Sequence, residues 1–301
     1  MTTLPPNLDI SNLTDLTRLF SECNDLITIP QVDTSNATKM SMTFAECSSL
    51  TTIPLLDTSS VTDMSGTFEE CSSLTTIPLL NTSSVTNMAN TFKECSSLTT
   101  IPSLNTSNVT MTIAMFQGCS SLTTVPLLDT SGVTNMRGMF ARCSSLTTIP
   151  LLDTSNVTVF ESMFASCGNS GQTPLQIPLI DTKKGDSFLY MFNGCTNLIE
   201  VPLLDLSNGS SMYRMFENCT NLTTVPAFNT PKTTNLMNMF LNCASLSNTS
   251  LNNIMRMCIS STKYNRTKSL KHIGLSSAQA TICQGLSNYS AFTAAGWTTG
   301  Y

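Results

Sequence analysis

The stretch CSSLTTIPLLDTSSVTDMSGTFEEC, from Cys47 to Cys71, decides how this chain is read. It recurs. Cysteines stand at Cys23, Cys47, Cys71, Cys95, Cys119, Cys143 and Cys167 in steps of 24, at Cys195 after a step of 28, and again in steps of 24 at Cys219 and Cys243. A phenylalanine precedes each of them by three positions, from Phe20 to Phe240. Prolines follow by seven at Pro30, Pro54, Pro78, Pro102, Pro126 and Pro150. A fixed period of this length marks a repeat array, in which each unit buries its apolar face against its neighbours.

Composition narrows the function. The 301 residues are 41% hydrophobic and only 11% charged, against a usual charged share of about 25%, and the net charge is −5. Ser, Thr and Asn fill the surface positions. No basic footprint for nucleic acid or an anionic membrane is present. The opening MTTLPPNLDI lacks the basic and apolar regions of a secretory signal, and no run of about 18 apolar residues predicts membrane insertion. Ten of the 12 cysteines hold the same place in the repeat, at the end of Met-x-x-Met-Phe-x-x-Cys, and are expected to be buried free thiols rather than disulfides.

Within one coil, Leu74 to Ile77 suits a short strand, and Pro78, which cannot donate to a ladder, ends it. Asn81-Thr82-Ser83-Ser84 is turn chemistry. Thr86 is placed to cap a short helix, whose inner face carries Met88, Phe92 and Cys95 at i, i+4 and i+7. The fold expected is an α/β repeat solenoid: a leucine-rich-repeat-like, right-handed stack with one short strand and one short helix per ~24 residues.

Residues 1–22 form an imperfect first coil and N-terminal cap, 23–243 the solenoid, and 244–301 a C-terminal cap closed by Trp297, the single tryptophan. In that cap SLNNIMRMC reads as a longer helix, TKYNRTK as a loop, SLKHIGL as a last strand, and Ser276 or Ser277 as the cap of a helix through Ile282. An irregular insertion lies near 168–187, where Ser170 replaces a leucine and Lys183 and Lys184 replace the usual turn residues; this loop is a candidate binding site.

Catalytic chemistry finds little footing. His272 is the only histidine, so no Ser-His-Asp or Cys-His pair forms within the repeats. Neither a zinc pattern nor a phosphate-binding glycine loop occurs, and no cofactor or metal is expected. A column of acids (Asp33, Asp57, Asp129, Asp153, Asp181 and Asp205), interrupted by Asn81 and Asn105, reads as turn capping rather than as a cation site. The candidate binding residues are two columns on the strand side: Thr52, Thr76, Thr100, Thr124 and Thr148, and Pro54, Pro78, Pro102, Pro126 and Pro150. Stacked over some ten coils they would form an uncharged strip on the order of 45 Å long.

The unit F-x-x-C-S-S-L-T-T-I-P-x-L-D-T-S-N-V-T-N-M resembles the BspA-like leucine-rich repeats, and more closely the DUF285 type found in surface proteins of mycoplasmas, Listeria-like Firmicutes and gut bacteria. The resemblance spans about residues 12–246. It implies an adhesion or recognition surface without catalytic residues. The final run IGLSSAQATICQGLSNYSAFTAAGWTTGY is similar to endings of phage and prophage structural proteins. Together these set two expectations for a non-enzymatic protein. The first is a virion component (fibre, decoration or adhesion protein) touching a bacterial surface, the second a bacterial BspA-like adhesin or host-interaction module. The partner is then a protein or cell-surface glycan, with other virion proteins in the first case and no nucleic acid in either. The location is the virion or the extracellular surface.

Overall fold

A computed structural model describes residues 2–171, 173–261 and 271–299. The chain forms two compact units, Met1–Asp153 and Thr154–Tyr301. Each is a pile of coils in which backbone groups bond to the same place one repeat later.

The segment read as a helix shows how. Met64, Gly66, Phe68 and Glu70 donate their N–H groups to the carbonyls of Asn87, Ala89, Thr91 and Lys93 in the next coil, at 3.0, 2.8, 3.0 and 2.7 Å. The N–H groups between them, on Thr67, Glu69 and Cys71, fold back on Met64, Gly66 and Phe68 at 3.2, 3.0 and 3.1 Å. An α-helix keeps its bonds within one segment, from each N–H to the carbonyl four residues earlier. Here every second N–H goes to the neighbour instead, and the segment is a chain of tight turns. Among the described residues no helix precedes Asn248, so the expected helix in each repeat is replaced by this turn ladder.

Such a ladder needs two left-handed residues per coil. One stands five positions before the cysteine, at Met42, Gly66, Asn90, Ala114 and Gly138, and the other just before it, at Glu46, Glu70, Glu94, Gly118 and Arg142, all with φ between 53° and 76°. For a non-glycine residue this region costs about 1–2 kcal/mol. The inter-coil bonds on either side hold each residue there. The expected strand is equally reduced. It survives as isolated parallel bridges such as Thr28 to Thr52, and a second bridge column runs through Asp15, Lys39, Asp63, Asn87 and Met111.

The core follows the repeat. In the first unit the rings of Phe20, Phe44, Phe68, Phe92, Phe116 and Phe140 stack with centroids 5.4–5.9 Å apart and planes within 12° of parallel. That spacing exceeds the ~4.8 Å between neighbouring backbones. The rings are therefore offset sideways, which is the favoured aromatic arrangement. In the second unit Phe164, Phe192, Phe216 and Phe240 stack at 5.3–5.4 Å. All 12 cysteines are free, and all but the half-buried Cys23 are buried. They do more than fill space. Within the repeats the buried thiols donate to the carbonyl of a phenylalanine one coil back, as Cys47 does to Phe20 at 3.1 Å and Cys71 to Phe44 and Cys95 to Phe68 at 3.0 Å. Inward-pointing threonines do the same forward, Thr58 to the Asn81 carbonyl and Thr82 to that of Asn105, both at 2.8 Å.

The irregular coil departs from the frame only between Cys167 and Pro178. Asn169 clamps the next coil twice, donating to the Gly194 carbonyl at 2.7 Å and accepting from the Thr196 N–H at 2.9 Å. Ser170 is exposed, and Leu175 is buried and supplies the apolar contact that this serine lacks. By Thr182 the pattern is regular again, with its hydroxyl bonded to the Asp205 carbonyl at 2.9 Å.

After Leu246 the backbone turns helical. Helix α1 (Asn248–Ser260) is capped by Ser247 and buries Leu251, Ile254, Met255 and Cys258. Helix α2 (Ser277–Gln284) opens with a capping box between Ser276 and Gln279, and α3 (Tyr289–Ala294) follows. The segment before α2 continues the coil ladder, since the Phe240 N–H donates to the Ile273 carbonyl at 3.2 Å. The Gln279 side chain bonds the Cys243 carbonyl at 2.6 Å. Trp297 is buried against Phe292, with the Lys271 ammonium over its ring. The TKYNRTK loop and Leu270 lie outside the described residues.

Candidate recognition surface

Between one Thr-Thr pair and the following turn the chain is extended, and its side chains sort cleanly. Thr52, Leu55 and Asp57 face solvent, Pro54 is half-buried, and Ile53, Leu56 and Thr58 point inward. The two threonines of a pair also differ. The first bonds back along the stack, as Thr51 does through its hydroxyl to the Ile27 carbonyl at 3.2 Å. The second, in the column Thr52, Thr76, Thr100, Thr124 and Thr148, is exposed. Pro54, Pro78, Pro102, Pro126 and Pro150 are half-buried beside it. In the first unit the structure thus brings both expected columns to one flank.

It adds a third. Leu55, Leu79, Leu127 and Leu151 are 60–67% exposed, as are Leu179 and Leu203 in the second unit. Apolar type alone would place these leucines inside, but the repeat itself carries a signal against that. The place after the proline holds Gln31, Ser103 and Ala227 as well as leucine, whereas the next place holds Val32, Leu104 and Phe228 and is apolar throughout. A position that accepts glutamine in the same scaffold faces water.

The acids sit at the edge of this flank and hold their own turns. The Asp57 carboxylate accepts from the Ser59 N–H at 3.0 Å and its hydroxyl at 2.6 Å, and Asp129 does the same with Ser131. Asn81 makes both bonds to Ser83 without a charge. These bonds lower the pKa of Asp57 and Asp129 below the ordinary aspartate value, the serine hydroxyl contributing most; the pKa of Asp33 is lowered too, and there the Ser35 N–H contributes most. A group whose folded pKa is depressed adds stability that is complete above its unfolded value, near 3.8, and is lost as pH falls further. The urea midpoint is therefore expected to drop below pH ~4. In a variant with Asp33, Asp57 and Asp129 changed to asparagine the drop is expected to be smaller. Parallel pH curves for the two proteins would show that the aspartate turns contribute nothing.

Lys183 and Lys184 do not sit on a bulge. They form an ordinary turn closed by the Gly185 N–H on the Thr182 carbonyl at 2.9 Å, as in the other coils. Lys184 donates to the Asn156 side chain at 2.7 Å, and Lys183 lies close enough to Asp205 to lower its pKa further. Elsewhere Tyr190 and Tyr213 meet edge-to-face, with Arg214 over the Tyr213 ring.

Nucleophilic chemistry has no support in the thiols. Burial pushes Cys47 and Cys283 up to about 11 and Cys143 and Cys195 up to about 12, so each is protonated at neutral pH. The imidazole Nδ1 of His272 is buried, in a segment bridged to Thr298. Among the described residues no group of three or more metal-ligating side chains gathers, and no helix is long and apolar enough to cross a membrane.

The family described as Mycoplasma protein of unknown function, DUF285, matches residues 6–98, 51–146, 123–221 and 171–272. The chain belongs to the DUF285 family. Among solved structures, this DUF285 chain is similar to a leucine-rich repeat protein from Bacteroides ovatus, with 19% identity over 82% of this chain and 67% of that one and a TM-score of 0.44. It is also similar to a leucine rich cell surface protein from Faecalibacterium prausnitzii (20% identity, 79% and 76% covered, TM-score 0.40). A third is the leucine-rich repeat protein of T. pallidum (14% identity, 85% and 81% covered, TM-score 0.30). No curated protein matches. The family match ends at residue 272, so the phage-like ending lies beyond it, and the virion expectation gains no support from these likenesses.

Proposed function

We propose that this DUF285 protein is a non-enzymatic recognition module of the adhesin type, displayed at a bacterial surface and binding a protein or glycan through the Thr–Pro–Leu flank. One observation carries the reading: a flank of the repeat that exposes the same threonine, leucine and aspartate places coil after coil, pinned at one end by backbone bonds such as that from the Thr75 N–H to the Thr51 carbonyl and at the other by hydroxyl bonds such as that from Thr58 to the Asn81 carbonyl. A surface held this way loses little conformational freedom on binding. The BspA-like resemblance of the repeats fits an adhesive role better than a virion part. The caps expected at 1–22 and 244–301 would close the open ends of such an array.

The test is binding of the fluorescent full chain to intact bacterial and epithelial cells. Saturable binding is expected, and substituting Thr52, Thr76 and Thr100 by lysine should weaken it. Substitution of Ser65 and Ser162, on the turn side, should leave it unchanged. Absence of saturable binding, or equal loss from both sets, would reject the reading.

A further inference from the structure

The exposed leucines and the aspartates of the first unit meet in grooves. One of about 580 Å³ is lined by Gln31, Asp33, Leu55, Asp57, Leu79 and Asn81 among others. Three coils further along, a second of about 480 Å³ repeats the combination with Leu127, Leu151 and Asp129. Among the described residues neither groove is lined by a lysine or arginine. Of the first unit's cations, Lys39 pairs with Asp15, Lys93 with Glu69 and Arg142 with Glu94.

We propose that these grooves dock a cationic polypeptide segment carrying apolar side chains. This deepens the recognition reading and rests on it. The apolar part follows from leucines left mostly in water, where burying each one against a partner is favourable. The cationic part follows from charge. Asp33 stands between Asp9 and Asp57 of the adjacent coils, close enough for their charges to raise its pKa, yet serine bonds keep Asp33 and Asp57 ionised at neutral pH. A lysine or arginine of the partner relieves that repulsion. A second copy of this chain does not, since it brings the same carboxylates and a net charge of −5. Nor does an anionic bilayer. A glycan would find leucine branches here, not the flat aromatic faces on which sugar rings stack. The second unit supplies an internal contrast: beside Leu179, Leu203 and Asp205 it carries Lys183 and Lys184, so its acidic edge is offset.

The experiment measures fluorescence anisotropy of a short labelled peptide alternating lysine and leucine against the full chain, with Glu/Leu and Lys/Ser peptides as controls. The Lys/Leu peptide is expected to bind roughly tenfold tighter than either control and to weaken as salt is raised. Asp33→Asn/Asp57→Asn and Leu55→Ser/Leu79→Ser should each lose most of that preference. Asparagine already occupies the aspartate place at Asn81 and Asn105, so the first variant keeps the turn. Equal binding of Lys/Ser and Lys/Leu peptides would overturn the proposal, as would full binding by the Asp33/Asp57 variant. If cells bind the parent and that variant alike while no peptide preference exists, this inference fails and the recognition reading stands. If neither cells nor peptide bind, both fall.

Discussion

Phe92→Ala is expected to destabilise the first unit by about 3–5 kcal/mol. The ring is fully buried and has a parallel neighbour on each side, Phe68 at 5.9 Å and Phe116 at 5.7 Å. Removing it opens a void that neither neighbour can fill, because each is held in its own coil by backbone bonds above and below. The same change at Phe20, which is slightly exposed and stacks only on Phe44 in the described structure, should cost clearly less. Interactions in a repeat array are close to nearest-neighbour in range, so the damage should centre on the coils around residue 92. Hydrogen exchange resolved by segment is the suitable measurement, since Trp297 fluorescence reports only on the C-terminal end of the second unit. Equal losses at Phe20 and Phe92 would show that the stack contributes nothing beyond the burial of single rings.

Gly185→Val should be nearly as damaging, and here the remedy is also predictable. Five other coils carry a buried valine at this place, Val61, Val85, Val109, Val133 and Val157. In this coil the inward residue three positions on is Phe188 where others have Met64 or Met88, and its ring takes the space. A Cβ on Gly185 would stand 2.2 Å from Phe188 Cζ and 2.9 Å from Cε1. The backbone there is open to any residue, so the conflict is one of volume alone. Overpacking of this kind costs about 1–3 kcal/mol, at the upper end where a ring must move. Adding Phe188→Met restores the valine–methionine pair of the other coils and should recover much of the loss, giving a favourable coupling of about 1–3 kcal/mol in a double-mutant cycle by urea unfolding. Gly209 makes the useful contrast. Its Cβ would meet the terminal methyl of Met212 at 2.3 Å, a flexible group that can swing aside, and the Phe188 ring only at 3.0 Å, so Gly209→Ala should be milder. Additive effects of Gly185→Val and Phe188→Met would refute the volume exchange.

The acid sensitivity of the aspartate turns and the preference for a cationic apolar peptide test the flank rather than the core. Both depend on the same carboxylates, and the asparagine variants connect them. A chain that lost its pH response but kept the peptide would retain the turns and lose the charge argument.

The spacing of Cys, Phe, Met and Leu was enough to define the repeat, its inward face and the free thiols. Equal spacing of apolar residues forces equal burial when identical units pile up, whatever the backbone between them. What spacing could not reveal was the path of that backbone. Met64, Phe68 and Cys71 fall on one side of an α-helix, and they also fall on one side of a chain of tight turns. Only the neighbouring coil, by accepting every second N–H, chooses the turns. The glycines and asparagines at 66, 90, 118 and 138 carried a trace of it, because those residue types enter the left-handed region most easily. Likewise the leucine after each proline is apolar by type, and the stacking of coils alone determines that it stays in water. Side-chain pattern is a property of one repeat. Hydrogen-bond direction and surface exposure are properties of the pile, and they exist only once the second coil is laid on the first.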